Sequence, residues 1–232
     1  MNTSRRSALV TGASRGIGRA IALRLAPTHD IVAVARARDE LDALASDIAA
    51  RGGACRVVPL DVTDGDAVAG ALGGLDVDVL VNNAGVGVLK PFLELTPDEW
   101  RTMVDVNFNA LYHVTRAVLP GMVARGRGDV VNIGSIAGRS AFVGGSCYAA
   151  TKWAVMAFAE SLMLEVRDAG VRVSVVMPGS VATHFGAGEP KNWNLRPEEV
   201  AESVAHVIAA PPEVLIHRLE VRALSPKRPR NG

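Results

Sequence analysis

Tyr148 and Lys152 stand four residues apart, so on a helix both project from one face, one turn from each other. A free phenol titrates near pH ~10, too high for efficient proton exchange at neutral pH. A neighbouring ammonium favours the phenolate and is expected to bring Tyr148 down. Lysine suits that task because its compact charge can also hydrogen-bond a sugar hydroxyl. On its own, a Tyr/Lys pair reads as an exposed helix face. Ser135 changes the reading, because it follows an apolar run upstream and its hydroxyl can orient and polarise a carbonyl. The chemistry implied is proton exchange with a carbonyl/alcohol oxygen.

A second constellation is Thr11-Gly12-Ala13-Ser14-Arg15-Gly16-Ile17-Gly18. Glycines let backbone turn tightly and approach a pyrophosphate, and a helix N-terminus beyond them offers free N–H groups and a positive dipole. Glycine-rich turns are common, so the context carries the argument: this one follows a strand pattern and opens a helical one. Asn107 is the third candidate. Met103, Val104, Ala110 and Leu111 surround it at helical spacing, and a buried amide among them needs partners.

Elements must place these residues together. Strand patterns run over Ala8–Thr11, Ile31–Ala35, Arg56–Leu60, Val77–Val81, Val130–Ile133, Arg172–Val176 and near Val214–Val221. Helical patterns alternate with them at Gly16–Ala26, Asp39–Arg51, Asp64–Leu72, Pro97–Arg125, Ser146–Ala169 and Pro197–Ala209. Such alternation predicts an α/β fold: a doubly wound, mostly parallel seven-stranded sheet of Rossmann type, with helices on both faces. Thr96-Pro97-Asp98-Glu99 is a capping box, and Gly170 sits where a left-handed C-cap is wanted. Ligands of such sheets lie beyond the carboxyl ends of the strands. The unusual residues fall there: the glycine loop, Arg36, Asp61, Asn82-Asn83-Ala84-Gly85, Gly134-Ser135 and Pro178-Gly179.

Composition narrows the class. The chain has 232 residues, 25 basic and 24 acidic side chains, and ten aromatics (five Phe, three Trp, two Tyr). A net charge of +1 argues against a nucleic-acid binder, and few aromatics argue against a single-strand stacking platform. Two cysteines, Cys55 and Cys147, without a CxxC leave neither a disulfide framework nor a metal site supported. No apolar run reaches the ~18 residues that span a membrane. The expectation is a single cytoplasmic domain with a solvated tail at 225–232.

Thr11–Gly18, Asn82–Gly85, Ser135, Tyr148-x-x-x-Lys152 and Pro178-Gly179 together resemble the short-chain dehydrogenase/reductase family, in its compact single-domain branch. The resemblance implies reversible hydride transfer between a nicotinamide cofactor and a carbonyl/alcohol substrate. Tyr148 is then the general acid/base, Ser135 holds the carbonyl, and Lys152 supports Tyr148. Asn107 holds a water that relays protons to Lys152; a helix–helix hydrogen bond is the alternative for it. Cofactor contacts implied are Gly12, Ser14, Arg15, Gly16, Ile17, Arg36, Asp61, Val62, Asn83, Ala84, Gly85, Ile133, Tyr148, Lys152, Pro178, Gly179, Val181 and Thr183. Where NAD-preferring relatives carry an acid after the second strand, this chain has Ala35 and then Arg36. Arg15 and Arg36 can clamp a 2′-phosphate, so the cofactor expected is NADP(H).

The stretch 180–196 has little periodicity and is expected to be a lid over the substrate. Val86, Phe142, Val143, Phe185 and Trp193 would give a mainly apolar pocket, and His184 reads as a surface loop residue. Pairing of the long helices, through residues such as Leu111, Val114, Val118, Trp153, Phe158 and Leu162, is implied by the family and gives a homodimer or homotetramer. Two rivals remain: dehydratase or epimerase chemistry on the same fold, and a non-catalytic NADP(H) sensor.

Overall fold

Apolar, β-branched runs form seven strands in the computed structural model, which describes residues 5–183, 185 and 191–224. They are β1 (Arg6–Thr11), β2 (His29–Ala35), β3 (Cys55–Pro59), β4 (Val79–Asn82), β5 (Gly128–Ile133), β6 (Val171–Pro178) and β7 (Arg218–Val221). Their order in the sheet is β3-β2-β1-β4-β5-β6-β7, and every pairing is parallel. This is the doubly wound α/β sheet that the alternating pattern predicts. The chain reverses its direction of winding between β1 and β4, which makes a crevice at their carboxyl ends.

Among the described residues, seven α-helices cover the sheet: α1 (Gly16–Leu25), α2 (Arg38–Ala49), α3 (Gly65–Leu72), α4 (Pro97–Val104), α5 (Ala110–Arg125), α6 (Ser146–Val166) and α7 (Pro197–Ile208). Successive strand residues point to opposite faces, and β1 divides accordingly. Ala8 and Val10 join one apolar layer with Ile21 of α1, Leu44 of α2 and Val204 of α7. Leu9 joins the other, with Leu72 of α3, Val118 of α5 and Ala159 of α6. Among the described residues, no helix is long and apolar enough to cross a membrane.

Helix ends follow their local chemistry. The Thr96 hydroxyl accepts from Glu99 N–H at 3.2 Å while the Glu99 carboxylate accepts from Thr96 N–H at 2.9 Å, the reciprocal box the sequence predicts. Beyond α6 a short 3-10 turn, Arg167–Ala169, ends at Gly170 with φ +74°.

Three expectations need correction. The single helix read over Pro97–Arg125 is broken by a π-helical turn, Asp105–Asn109, between α4 and α5. The extra residue of that turn brings Asn107 inward, where it is 3% exposed and hydrogen-bonded to a neighbouring loop and helix. The fourth strand is shifted to Val79–Asn82, because the Asn82 backbone pairs with Asn132 and its amide donates to the Asn132 Oδ1 at 2.9 Å and to Thr115 at 3.0 Å. Asn82 is thus a strand-end fastener. The last strand is confined to Arg218–Val221.

Candidate active site

Thr11 ends β1 with its hydroxyl turned towards the end of β4. That oxygen accepts from the backbone N–H groups of Asn83 and Ala84, both at 3.0 Å. The Asn83 side chain returns the contact, donating to the carbonyls of Thr11 at 2.9 Å and Gly12 at 3.3 Å. The two strand ends flanking the crevice are tied by neutral groups. Gly12 (φ +64°) and Gly16 (φ +55°) occupy the left-handed region that other residues resist. Gly18 is needed for close approach: a Cβ there would stand 2.2 Å from the Gly12 carbonyl oxygen.

Helix α1 begins after Arg15 with no side-chain cap and no acid in its first turn. Its free N–H groups and positive end suit a phosphate. Ser14 and Ile17 flank this turn, partly buried. Arg15 is exposed and, among the described residues, has no hydrogen-bond or ion-pair partner. Arg36 is exposed just past β2 and close enough to Asp61 to help hold its carboxyl below the usual range. The larger cause of that shift is the Thr63 backbone N–H, donated to Asp61 at 3.0 Å, with the Thr63 hydroxyl adding a bond at 2.8 Å. Val62 is buried in the apolar layer behind it. On the far side, Gly179 N–H donates to the Val221 carbonyl at 2.8 Å, and Pro178 ends β6 buried. Val181 pairs with Leu195 in an isolated bridge that pins the base of the following loop. Thr183 closes the ring: a Cβ on Gly16 would lie 3.5 Å from its methyl group.

Helix α6 carries Tyr148 and Lys152 on one face. The Lys152 ammonium, 5% exposed at residue level, donates to the Ile133 carbonyl at 2.9 Å and lies 5.9 Å from the centre of the Tyr148 ring. Burial without a carboxylate partner lowers its pKa to about 8. Ser135 stands opposite, at the start of the 3-10 turn Ile136–Gly138, where its hydroxyl accepts from Ala137 N–H at 3.1 Å. Gly138 lets this turn touch α6; a Cβ there would come within 2.8 Å of the Lys152 carbonyl oxygen.

Tyr148 departs from expectation in one respect. Burial raises its pKa, and only the Ser135 hydroxyl pulls the other way. The expected lowering by Lys152 does not emerge, because desolvation dominates. The phenol therefore holds its proton across the neutral range.

Both ends of the Asn107 amide are engaged. Oδ1 accepts from Val86 N–H at 2.8 Å; Nδ2 donates to the Val86 carbonyl at 2.9 Å and to the Thr151 hydroxyl at 3.1 Å. The helix-to-helix bond left open by the sequence is therefore present. Beside it lies a cavity of about 10 Å³, lined by Asn107, Lys152, Ile133 and Thr11 among others, with room for roughly one water. Gly85 borders the same space: a Cβ on it would meet Asn107 Oδ1 at 3.4 Å and Lys152 Nζ at 3.9 Å.

The apolar pocket read from sequence is assembled only in part. Phe185 lies against Tyr148, with ring centres 5.4 Å apart. Val143 is 98% exposed and contributes no wall, and Trp193 is engaged by the Lys191 ammonium at 5.8 Å. His184, part of the 180–196 stretch and the tail 225–232 lie outside the described residues. Thr11, Thr151 and Gly138 are site-building residues that the sequence reading did not single out as such. Thr11 alone had a signal, a hydroxyl at the last position of a strand before the glycine loop.

A doubly wound sheet with a glycine loop at its switch point and a Ser/Tyr/Lys group beyond β5 defines a nucleotide-binding α/β enzyme scaffold. A model of the short chain dehydrogenase family matches residues 6–193, and the chain belongs to that family. It is 36% identical to the NADP-dependent 3-hydroxy acid dehydrogenase YdfG of Salmonella typhi, over 92% of this chain and 93% of that protein. Among solved structures, a serine dehydrogenase complexed with NADP+ superposes with TM-score 0.84 at 34% identity, covering 92% of this chain and 93% of the other. An alcohol dehydrogenase from Thermococcus sibiricus, complexed with 5-hydroxy-NADP, gives 0.89 at 32% identity over 98% and 100% of the two chains.

Proposed function

We propose that this chain is an NADP(H)-dependent oxidoreductase that interconverts a small-molecule carbonyl and its alcohol, with Tyr148 as the general acid/base. The observation that carries the reading is the meeting of Ser135, Tyr148 and Lys152 at the crevice mouth, with the glycine loop and the bare N-terminus of α1 beside them. The residues present fit the cofactor. Gly12, Gly16 and Gly18 clear a path for a pyrophosphate, and Arg15 and Arg36 are exposed cations that could meet a 2′-phosphate. When bound, the nicotinamide supplies or accepts the hydride.

The protein's own part is positioning and proton transfer. The Ser135 hydroxyl holds the carbonyl oxygen and polarises it. Tyr148 keeps its proton because burial disfavours the phenolate, so it is charged with the proton that reduction consumes. Lys152 contributes positive charge at neutral pH, since its pKa of about 8 still leaves the ammonium mostly protonated there. A water in the cavity lined by Asn107 and Lys152 would resupply that proton.

Following NADPH absorbance with a panel of ketones, quinones and β-ketoacyl thioesters tests the reading. Oxidation of NADPH by at least one member, lost in Tyr148→Phe, is the expected result. Tight NADPH binding without turnover of any member favours the sensor; product formed without net NADPH consumption favours dehydratase or epimerase chemistry. Self-association belongs to the same reading. Leu111, Val114, Val118 and Leu162, expected at a subunit contact, are instead buried in the protomer's own core. Among the described residues, Trp153 at 52%, Tyr112 at 54%, Leu164 at 54% and Val123 at 40% exposure are the large apolar side chains left to pair α5 and α6 between subunits. A monomer in light scattering at micromolar concentration refutes the pairing.

A further inference from the structure

Phe185 belongs to neither apolar layer of the fold, yet more than half of its surface is covered. Two contacts account for its placement. Its ring lies 5.4 Å from that of Tyr148, centre to centre, inclined at 58°. Its edge lies over Gly87, where an added Cβ would meet Phe185 Cε1 at 2.5 Å and Cζ at 2.8 Å. Gly87 is not among the glycines with positive φ, so its backbone would accept a side chain. Space for the Phe185 ring, and not conformation, is what requires glycine there.

We propose that Gly87 and Phe185 form a size filter beside Tyr148, which admits carbonyl substrates with a small substituent on that side and excludes those with a bulky apolar one. The inference rests on the reading of Tyr148 as the proton donor. A carbonyl oxygen held by Tyr148 and Ser135 puts the carbon's substituents next to the tyrosine ring. On the side of Gly87 that space is taken by the phenylalanine. The ring is apolar and carries no hydrogen-bonding group, so it selects by volume and not by charge. Discrimination by fit in an apolar pocket is worth on the order of 10–200-fold. Specificity is thereby shared between the segment after β4, which supplies the gap, and the loop after β6, which supplies the plug.

The test compares butanone with propiophenone, a small dialkyl and a larger aryl ketone. In Phe185→Ala the ratio of kcat/KM for propiophenone to that for butanone is expected to rise about tenfold. Gly87→Ala should change the ratio when Phe185 is present, and leave it unaltered in the Phe185→Ala background, because the clash is with the ring alone. Calorimetric titration of propiophenone into the NADP+-loaded protein reads the same space without turnover. About tenfold tighter binding to Phe185→Ala than to the parent chain is expected. Equal or weaker binding there, with no gain in the ratio, overturns the filter. Tighter binding without NADPH oxidation by either protein, over the whole ketone panel, instead overturns the assigned reaction and leaves the filter standing.

Discussion

The two edges of the sheet handle polar groups in opposite ways. At the amino edge, charges close on one another. Asp129, at the start of β5, is 5% exposed and accepts from Arg6 and Arg172, each at 2.7 Å. The Arg172 guanidinium also donates to the carbonyls of Ile208, Ala210, Pro211 and Val214, at 2.8–3.2 Å, and so fastens the end of α7 to the sheet. Asp78 takes the Ser7 N–H at 2.9 Å and pairs with Arg127 at 3.6 Å. At the carboxyl ends of β1 and β4, which flank the crevice, the fastening is done by neutral hydroxyls and amides of Thr11, Asn82, Asn83 and Asn107, and the Arg139–Glu220 ion pair lies out at β7. The buried cation at the crevice, Lys152, has a carbonyl for a partner and, among the described residues, no carboxylate. A binding edge must keep its charge available, and that costs stability; a structural edge is free to neutralise it.

Five substitutions break or sharpen this contrast. Tyr148→Phe removes the proton donor while sparing the ring, and kcat should fall by roughly 10³-fold, with NADPH affinity and Tm close to the parent values. Comparable turnover in the variant contradicts the role given to the phenol. Asp129→Ala acts at the other edge. It takes the carboxylate from Arg6, which is half exposed, and from Arg172, which keeps its carbonyl acceptors, and should cost about 1–3 kcal/mol in urea denaturation, while kcat per folded molecule stays unchanged. A catalytic defect without a stability loss would reverse the assignment of that edge.

Lys152→Met tests the cost of the open edge, and here both effects are expected. Activity is lost, and stability rises. The fall in pKa from 10.5 to about 8 corresponds to roughly 3 kcal/mol at neutral pH. The orphaned Ile133 carbonyl takes back about 1 kcal/mol. The sign follows from the unfolded chain's holding its proton up to 10.5 while the folded chain releases it near 8. The penalty is complete below about pH 8 and shrinks as pH rises towards 10.5. The variant's advantage in urea should therefore be largest at pH 7 and fade at higher pH; an advantage that grows with pH points to another cause. Arg15→Ala and Arg36→Ala give the smallest effect. Each should lower the preference for NADPH over NADH by about tenfold in kcat/KM, with folding unaltered. An unaltered preference places the phosphate clamp elsewhere.

Much of this was legible along the chain. Strand/helix alternation gave the sheet, and the positions of the glycine loop, Asn83, Ser135 and Pro178 gave the edge on which the site lies. Residues whose role is local read well: the Thr96–Glu99 box and the i, i+4 pairing of Tyr148 with Lys152 need one element only. Asn107 read less well. Its helical spacing suggested an unbroken helix, and a single π-helical turn has no composition of its own to mark it. Val143 looked like a pocket residue from its type, yet is nearly fully exposed. Val114 and Val118 looked like contact residues for a second subunit, yet are taken up by the core. Facing is a property of packing, and apolar type alone does not specify it.

The sequence by itself determined the order of elements, the family and the identity of the groups able to do the chemistry, because periodicity, caps and spacing act over one turn or one strand. Only the tertiary structure decided how those groups are charged and what stands beside them. Burial moves Tyr148 up and Lys152 down, and it depends on atoms far away in the chain. The meeting of Gly87 with Phe185 joins two loops that follow different strands. Desolvation and close contact are sums over neighbours in space, and those neighbours exist only once the sheet has brought its carboxyl ends together.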